Sequence, residues 1–233
     1  MSAGPAPPLS AGSSPLIGVL ALQGDFQAHE RVLRRLGARV REVRVQADLD
    51  GLHGLVIPGG ESTTMMLGVT REGLTEPLRE LLRGGLAVLG SCAGLIMLDR
   101  DHLAVMDITA RRNAFGRQIR SFEADLDVKT VDGGPLRALF IRAPWIEEHG
   151  PDVEVLSVLD GHPVAARQGH MLAVAFHSEL GGDDRLHRLF LGWTREVAPA
   201  QPLAATAALS DGGTPAAQAA SAGGDARSSA SQP

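Results

Sequence analysis

The amino-acid sequence predicts an α/β protein of three layers: a mainly parallel central sheet, helices on both of its faces, and some antiparallel strands. Three observations carry this. Between residues 16 and 98, short apolar runs alternate with helix-period patterns, the rhythm of strands joined by crossover helices. Beyond residue 120, closely spaced strand-like segments follow one another through tight turns, which implies antiparallel strands extending or flanking the sheet. Finally, a lone cysteine sits between two glycines where a buried run passes into a helical one. Parallel sheets place their chemistry at such strand ends.

In chain order, LIGVLAL (16–22) reads as a buried strand. Asp25 caps a helix through about Leu36, with Val32, Leu33 and Leu36 inward and Gly37 at its stop. ARVREVRV (38–45) alternates as a strand does, and GLVIP (54–58) is a second buried run. The turn that follows, PGGEST, leads into a helix with Ser62 or Thr63 as its cap. Thr75, Glu76 and Pro77 open another helix, with Leu78, Leu81 and Leu82 inward and Gly84 closing it. LAVLG (86–90) is strand-like, and AGLIML (93–98) opens the next helix. Strands are expected over 122–131, 136–142, 153–158, 162–167 and 171–176, with turns at DGG (132–134) and DGH (160–162). A last helix spans about 183–197, its residues Leu186, Leu189, Phe190, Trp193 and Val197 falling at helical spacing.

The 233 residues divide into a working domain over 15–198 and two tails, 1–14 and 199–233, rich in Ala, Gly, Ser and Pro. Such tails bury too little apolar area to offset their ordering entropy, so disorder is expected there. With 44% apolar residues a sizeable core is available; only 3% are aromatic, so it rests on aliphatic side chains. A net charge of −5 with mixed signs argues against a nucleic-acid binder. One cysteine permits no internal disulfide and fits a reducing compartment. No signal-like start and no bilayer-length apolar run are present, so a cytoplasmic protein without membrane contact is expected.

The chemistry centres on LAVLGSCAGLIML. Cys92 lies at a strand-to-helix turn between Gly90 and Gly94, the cysteine form of a nucleophile elbow. The turn pushes the thiol beyond the sheet edge, small neighbours admit a substrate, and the helix N-terminus favours a thiolate. The N–H of Ala93 then points where an oxyanion would form. A thiol nucleophile needs a base, and the base needs an orienter. Of eight histidines, His177 ends the apolar run MLAVAF (171–176), and Glu179 follows two residues later. In an extended chain those two side chains share a face. His29 and His187 lie in helical segments, His102, His149, His162 and His170 in turn-like contexts, and His53 precedes a strand. Gly59 and Gly60 free backbone N–H groups for an anion; Gly60 is the expected second oxyanion donor, and Glu61 offers a carboxylate for a substrate ammonium.

Together these residues resemble the class I glutamine amidotransferases, and within them the glutaminase subunits of pyridoxal 5′-phosphate synthases. The resemblance spans about 16–197 and rests on GVLALQGDFQAH (18–29), IPGGESTTM (57–65), GSCAGLIML (90–98), RRNAFGRQIRSFEADL (111–126), FIRAP (140–144) and VAFHSEL (174–180). It implies a flavodoxin-like fold and a catalytic triad of Cys92, His177 and Glu179. Gly60, Glu61, Ser62, Arg112, Ile141 and Arg142 match glutamine-binding positions, and Arg112 and Arg142 suit an α-carboxylate. It also implies that ammonia passes to a barrel-shaped synthase subunit within a large hetero-oligomer. That partner makes pyridoxal 5′-phosphate from ribose 5-phosphate and glyceraldehyde 3-phosphate; the glutaminase itself carries no metal and no cofactor. The segment holding Gln23 is expected near the synthase. An amidotransferase with another acceptor, or a non-catalytic regulatory subunit, are the alternatives. Two departures stand out: Ser178 replaces the usual Pro between base and orienter, and the segment 98–113 is short.

Overall fold

A computed structural model describes residues 14–115, 121–197 and 199–200. The tails expected to be disordered lie outside them, apart from Ser14, Pro199 and Ala200, as does the stretch 116–120 of the RRNAFGRQIRSFEADL segment. Strand β1 (Leu16–Leu20) carries Ile17, Val19 and Leu20 fully into the core. Helix α1 (Phe26–Arg35) starts where the Asp25 carboxylate accepts from the N–H of Ala28 and stops at Gly37, whose φ of 86° only glycine adopts without strain. Strand β2 (Arg39–Val43) and a short 3-10 turn (Gln46–Leu49) lead to β3 (Gly54–Ile57). Then come α2 (Ser62–Arg71), α3 (Thr75–Arg83), β4 (Ala87–Ser91) and α4 (Ala93–Leu98). Every residue of β3 and β4 is buried. Successive strand residues face opposite sides, so both sheet faces are covered here.

The second half supplies β5 (Ile108–Arg111), β6 (Ser121–Leu126), β7 (Leu136–Ile141), β8 (Trp145–His149), β9 (Glu154–Leu159), β10 (His162–Gln168), β11 (Met171–Val174) and α5 (Arg185–Trp193). The main sheet runs β2-β1-β3-β4-β11-β10-β9. Its first five strands are parallel, and β10 is antiparallel to both neighbours. That parallel block has the flavodoxin-like order, whose strand order reverses between β1 and β3. Two antiparallel pairs, β5 with β8 and β6 with β7, flank it.

Most elements stand where the sequence places them, with three corrections. The segment 171–176, expected among the antiparallel strands, is instead the parallel neighbour of β4, because a strand's apolar pattern carries no direction. Strands β5 and β8 were not foreseen; β8, WIEEH, exposes three of its five residues and so lacks an apolar signature. The cap of α2 is neither Ser62 nor Thr63 but Glu61, whose carboxylate accepts from the N–H groups of Thr63 and Thr64. The packed chain also runs to Ala200, whose N–H donates to Leu52 O at 2.6 Å while its carbonyl accepts from Gly51.

The short segment after α4 is tied down by one buried carboxylate. Asp99 accepts from the Asp101 N–H at 2.9 Å and the Ala110 N–H at 3.3 Å, and contacts His102 Nδ1 at 2.7 Å. That clamp aims the end of β5, and with it Arg112, at the sheet's C-terminal edge. Among the described residues no helix is long and apolar enough to cross a membrane, and no group of three or more His, Cys, Asp or Glu side chains is placed to hold a metal ion.

Candidate active site

Four loops converge at the C-terminal ends of β1, β3, β4 and β11. Between them lies a cleft of about 280 Å³, lined by Cys92, Ala93, His177, Gly60, Glu61, Ser62, Arg112, Ile141, Arg142 and four further residues. A larger groove of about 530 Å³ lies by Val128 and Leu156, but it has no cysteine, no histidine and no buried titratable group on its walls.

Cys92 is the residue between β4 and α4. Its φ of 51° and ψ of −102° put a non-glycine residue in a costly region. Its N–H donates to Val174 O at 2.8 Å, tying the turn to β11. The bend also brings α4 close to β3: a Cβ on Gly94 would overlap the carbonyl of Ile57. The thiol is 6% exposed and lies 3.9 Å from the Ile141 carbonyl. Arg142, the next residue, is likewise left-handed, with φ 46°. Strain at both walls of one cleft is the pattern of a functional site rather than of a packing accident.

His177 follows β11 and is pinned from the other side, its N–H donating to Leu139 O of β7 at 2.8 Å. Its Nδ1 donates to Glu179 Oε1 at 2.7 Å. The imidazole and the Cys92 thiol face the same cleft. Burial disfavours the imidazolium, but the hydrogen bonds and charges of Cys92 and Glu179 outweigh it and push the pKa up to about 10. Glu179 lies behind His177, away from the cleft. Burial works against its ionisation, yet the imidazoles of His29 and His177 hold it down to about 2. The two side chains meet through a turn at 178–180 rather than the extended chain expected. Ser178 sits inside this turn, buried, with no partner for its Oγ among the described residues. Ser178→Ala removes that unpaired hydroxyl and is expected to raise unfolding stability by about 1 kcal/mol, read from a urea titration.

The glycine turn after β3 packs directly on this pair. A Cβ on Gly59 would run into the His177 ring. Gln23, after β1, accepts the Glu61 N–H on its Oε1 at 2.8 Å. Arg112 reaches across the cleft mouth to Glu61 Oε1 at 2.8 Å and Thr63 Oγ1 at 3.1 Å. Glu61 is held at a pKa of about 2 by the Thr64 N–H and hydroxyl and the Thr63 N–H.

Every expected cleft residue is therefore gathered, while Glu179 stands one layer back. Gln23, Ile96, Asn113 and Pro144 were not foreseen as cleft walls. Gln23 and Asn113 stand at the ends of β1 and β5, and position at a strand end is the signal that marks them. The buried pair His29 and His187 was also missed. His29 shares the inward face of α1 with Val32 and Leu33, three and four residues on, and that spacing marks it.

A crystal structure described as a glutamine amidotransferase superposes with a TM-score of 0.72 at 44% identity, over 76% of this chain and 98% of that one. A glutamine amidotransferase from Thermotoga maritima shares the fold at a TM-score of 0.52 and 13% identity, over 78% of this chain and 95% of that one. The pyridoxal 5′-phosphate synthase subunit PdxT of Mycobacteroides abscessus is 53% identical over 191 residues, covering 78% of this chain and 98% of that protein. The PdxT of a Parafrankia species is 53% identical over 188 residues, covering 77% and 93%. The sequence profile of the SNO glutamine amidotransferase family matches residues 19–196, and the chain belongs to that family.

Proposed function

We propose that the chain hydrolyses L-glutamine to glutamate and ammonia with Cys92, His177 and Glu179, and delivers the ammonia to a pyridoxal 5′-phosphate synthase subunit. The observation that supports this most is the gathering of the Cys92 thiol and the Glu179-bound His177 imidazole in one cleft, at the ends of two adjacent parallel strands.

With His177 as the imidazolium holding the thiol's proton, the sulfur attacks the side-chain amide carbon. The N–H groups of Ala93 and Gly60 stabilise the oxyanion. The C–N bond breaks as His177 returns the proton to the departing ammonia, leaving a thioester. Water then attacks, again giving its proton to His177; the C–S bond breaks, and glutamate and the thiol are regenerated. Glu179 keeps Nδ1 protonated, so that the other ring nitrogen faces the sulfur.

Substrate binding follows from the ion pair at the cleft mouth. Glu61 already accepts from Thr63, Thr64 and Arg112. A zwitterionic amino acid replaces that pair on both sides: its α-carboxylate takes the Arg112 guanidinium, and its α-ammonium takes the Glu61 oxygen so released. Ser62, Ile141 and Arg142 complete the glutamine-binding wall. The synthase partner, barrel-shaped and assembled with this chain in a hetero-oligomer, uses the ammonia with ribose 5-phosphate and glyceraldehyde 3-phosphate. The relatives' shared name as synthase subunits supports this.

Ammonia release from glutamine, measured with and without the synthase subunit, tests the proposal. Release that rises when the partner is added supports it; no release with the partner bound favours a regulatory subunit. Gly59→Ala is expected to lower kcat at least about 100-fold with thermal stability retained, because displacing the base by about 1 Å carries that cost.

A further inference from the structure

We propose that His29, itself held by His187, is a positioning residue that fixes the Glu179 carboxylate in the orientation His177 requires. This rests on the triad reading above.

Glu179 has two oxygens. Oε1 serves His177, and Oε2 meets the Ser91 hydroxyl at 3.1 Å and His29 Nε2 at 3.2 Å. The Ser91 hydroxyl has a single proton and a second acceptor, the Phe176 carbonyl at 3.0 Å, so it is a divided donor. His29 approaches off the ideal hydrogen-bond line and makes a short charge–dipole contact. Its other nitrogen, Nδ1, lies 3.0 Å from Nε2 of His187. Both imidazoles are fully buried. The line Cys92, His177, Glu179, His29, His187 thus runs from the cleft through the interior to α5.

One protonation pattern satisfies this line. A carboxylate requires an N–H on His29 Nε2. A neutral ring then has a lone pair on Nδ1, which accepts from an N–H on His187 Nε2. Burial supports neutral rings, lowering the pKa of His29 and bringing His187 down to about 3. The charged groups around His29 are Glu179 and His177 from the turn after β11 and Asp25 from its own helix. Those around His187 are Glu179, Asp184 and Arg35. His187 therefore selects the His29 tautomer, and His29 steadies the carboxylate, as outer-layer partners do for metal-bound histidines.

The test follows Cys92 alkylation by iodoacetamide against pH, since Cys92 is the single thiol of the chain; this needs neither glutamine nor partner. Ammonia release by the complex with the synthase subunit is measured in parallel. His29→Leu removes the N–H dipole facing Oε2, so Glu179 takes up a proton at higher pH and stops orienting His177. The acid limb of alkylation is expected to move up by at least about one unit, and ammonia release to fall about tenfold. His29→Gln keeps an N–H in reach and is expected to restore both. The double variant His29→Leu/His187→Leu leaves no buried imidazole unpaired and is expected to fold with the same displaced limb. An acid limb unmoved in His29→Leu and in the double variant overturns the inference. A wild type that alkylates but releases no ammonia overturns the glutaminase reading instead.

Discussion

Cys92→Ala is expected to lower ammonia release by at least about 10⁴-fold, even with the synthase subunit bound, because removing the nucleophile of such a unit costs that much. No other thiol exists in the chain to replace it. The fold is expected to survive: Ala, like Cys, has a single Cβ at the left-handed φ of 51°, and the Cys92 N–H bond to Val174 is retained. Binding is expected to survive too, since Arg112, Glu61 and Arg142 are untouched. Glutamine affinity measured by calorimetry is the check. Unaltered binding with lost turnover assigns the thiol to bond making rather than to recognition.

Glu179→Gln is expected to cost about 10³- to 10⁴-fold in kcat with little change in KM, the scale seen when a triad's orienting carboxylate becomes an amide. The amide either turns its oxygen to His177 without a charge or turns its N–H there and forces the wrong tautomer. Either way the imidazolium loses the negative charge beside it, so its pKa is expected to fall from about 10. Histidine NMR titration reads that shift. The stability profile changes with it. Glu179 is depressed, so its contribution is present above the ordinary carboxylate value of about 4.5 and is lost as pH falls toward about 2. His177 is raised, so its contribution is complete below about 6.5 and is lost as pH rises through about 10. In Glu179→Gln the acid loss is expected to disappear and the alkaline loss to begin nearer neutrality.

How legible these features are in the sequence depends on how local each one is. Cys92 is readable because its flanking glycines, the strand before it and the helix after it all lie within a dozen residues. His177 is readable as a polar residue ending a buried run. The glycine turn at 59–60 announces close backbone approach, and the structure shows why: Gly59 abuts His177 and Gly60 abuts Gln23. Non-local features were not readable. The direction of β11 depends on its pairing with β4, some eighty residues away. The cap at Glu61 competes with two hydroxyl residues of equal local merit. Gln23 is an unremarkable polar residue until the fold brings it to the cleft. His29 and His187 lie 158 positions apart; helical spacing turns His29 inward, but nothing local pairs it with His187.

The proposed reaction cleaves glutamine through a thioester on Cys92. Rapid acid quenching of the complex of chain and synthase subunit, mixed with glutamine, followed by intact-mass measurement, tests it most directly. A glutamyl adduct on Cys92 that forms on mixing, decays as ammonia appears and is absent in Cys92→Ala is the predicted result. Ammonia released at the wild-type rate by Cys92→Ala, with no adduct in either protein, would contradict it.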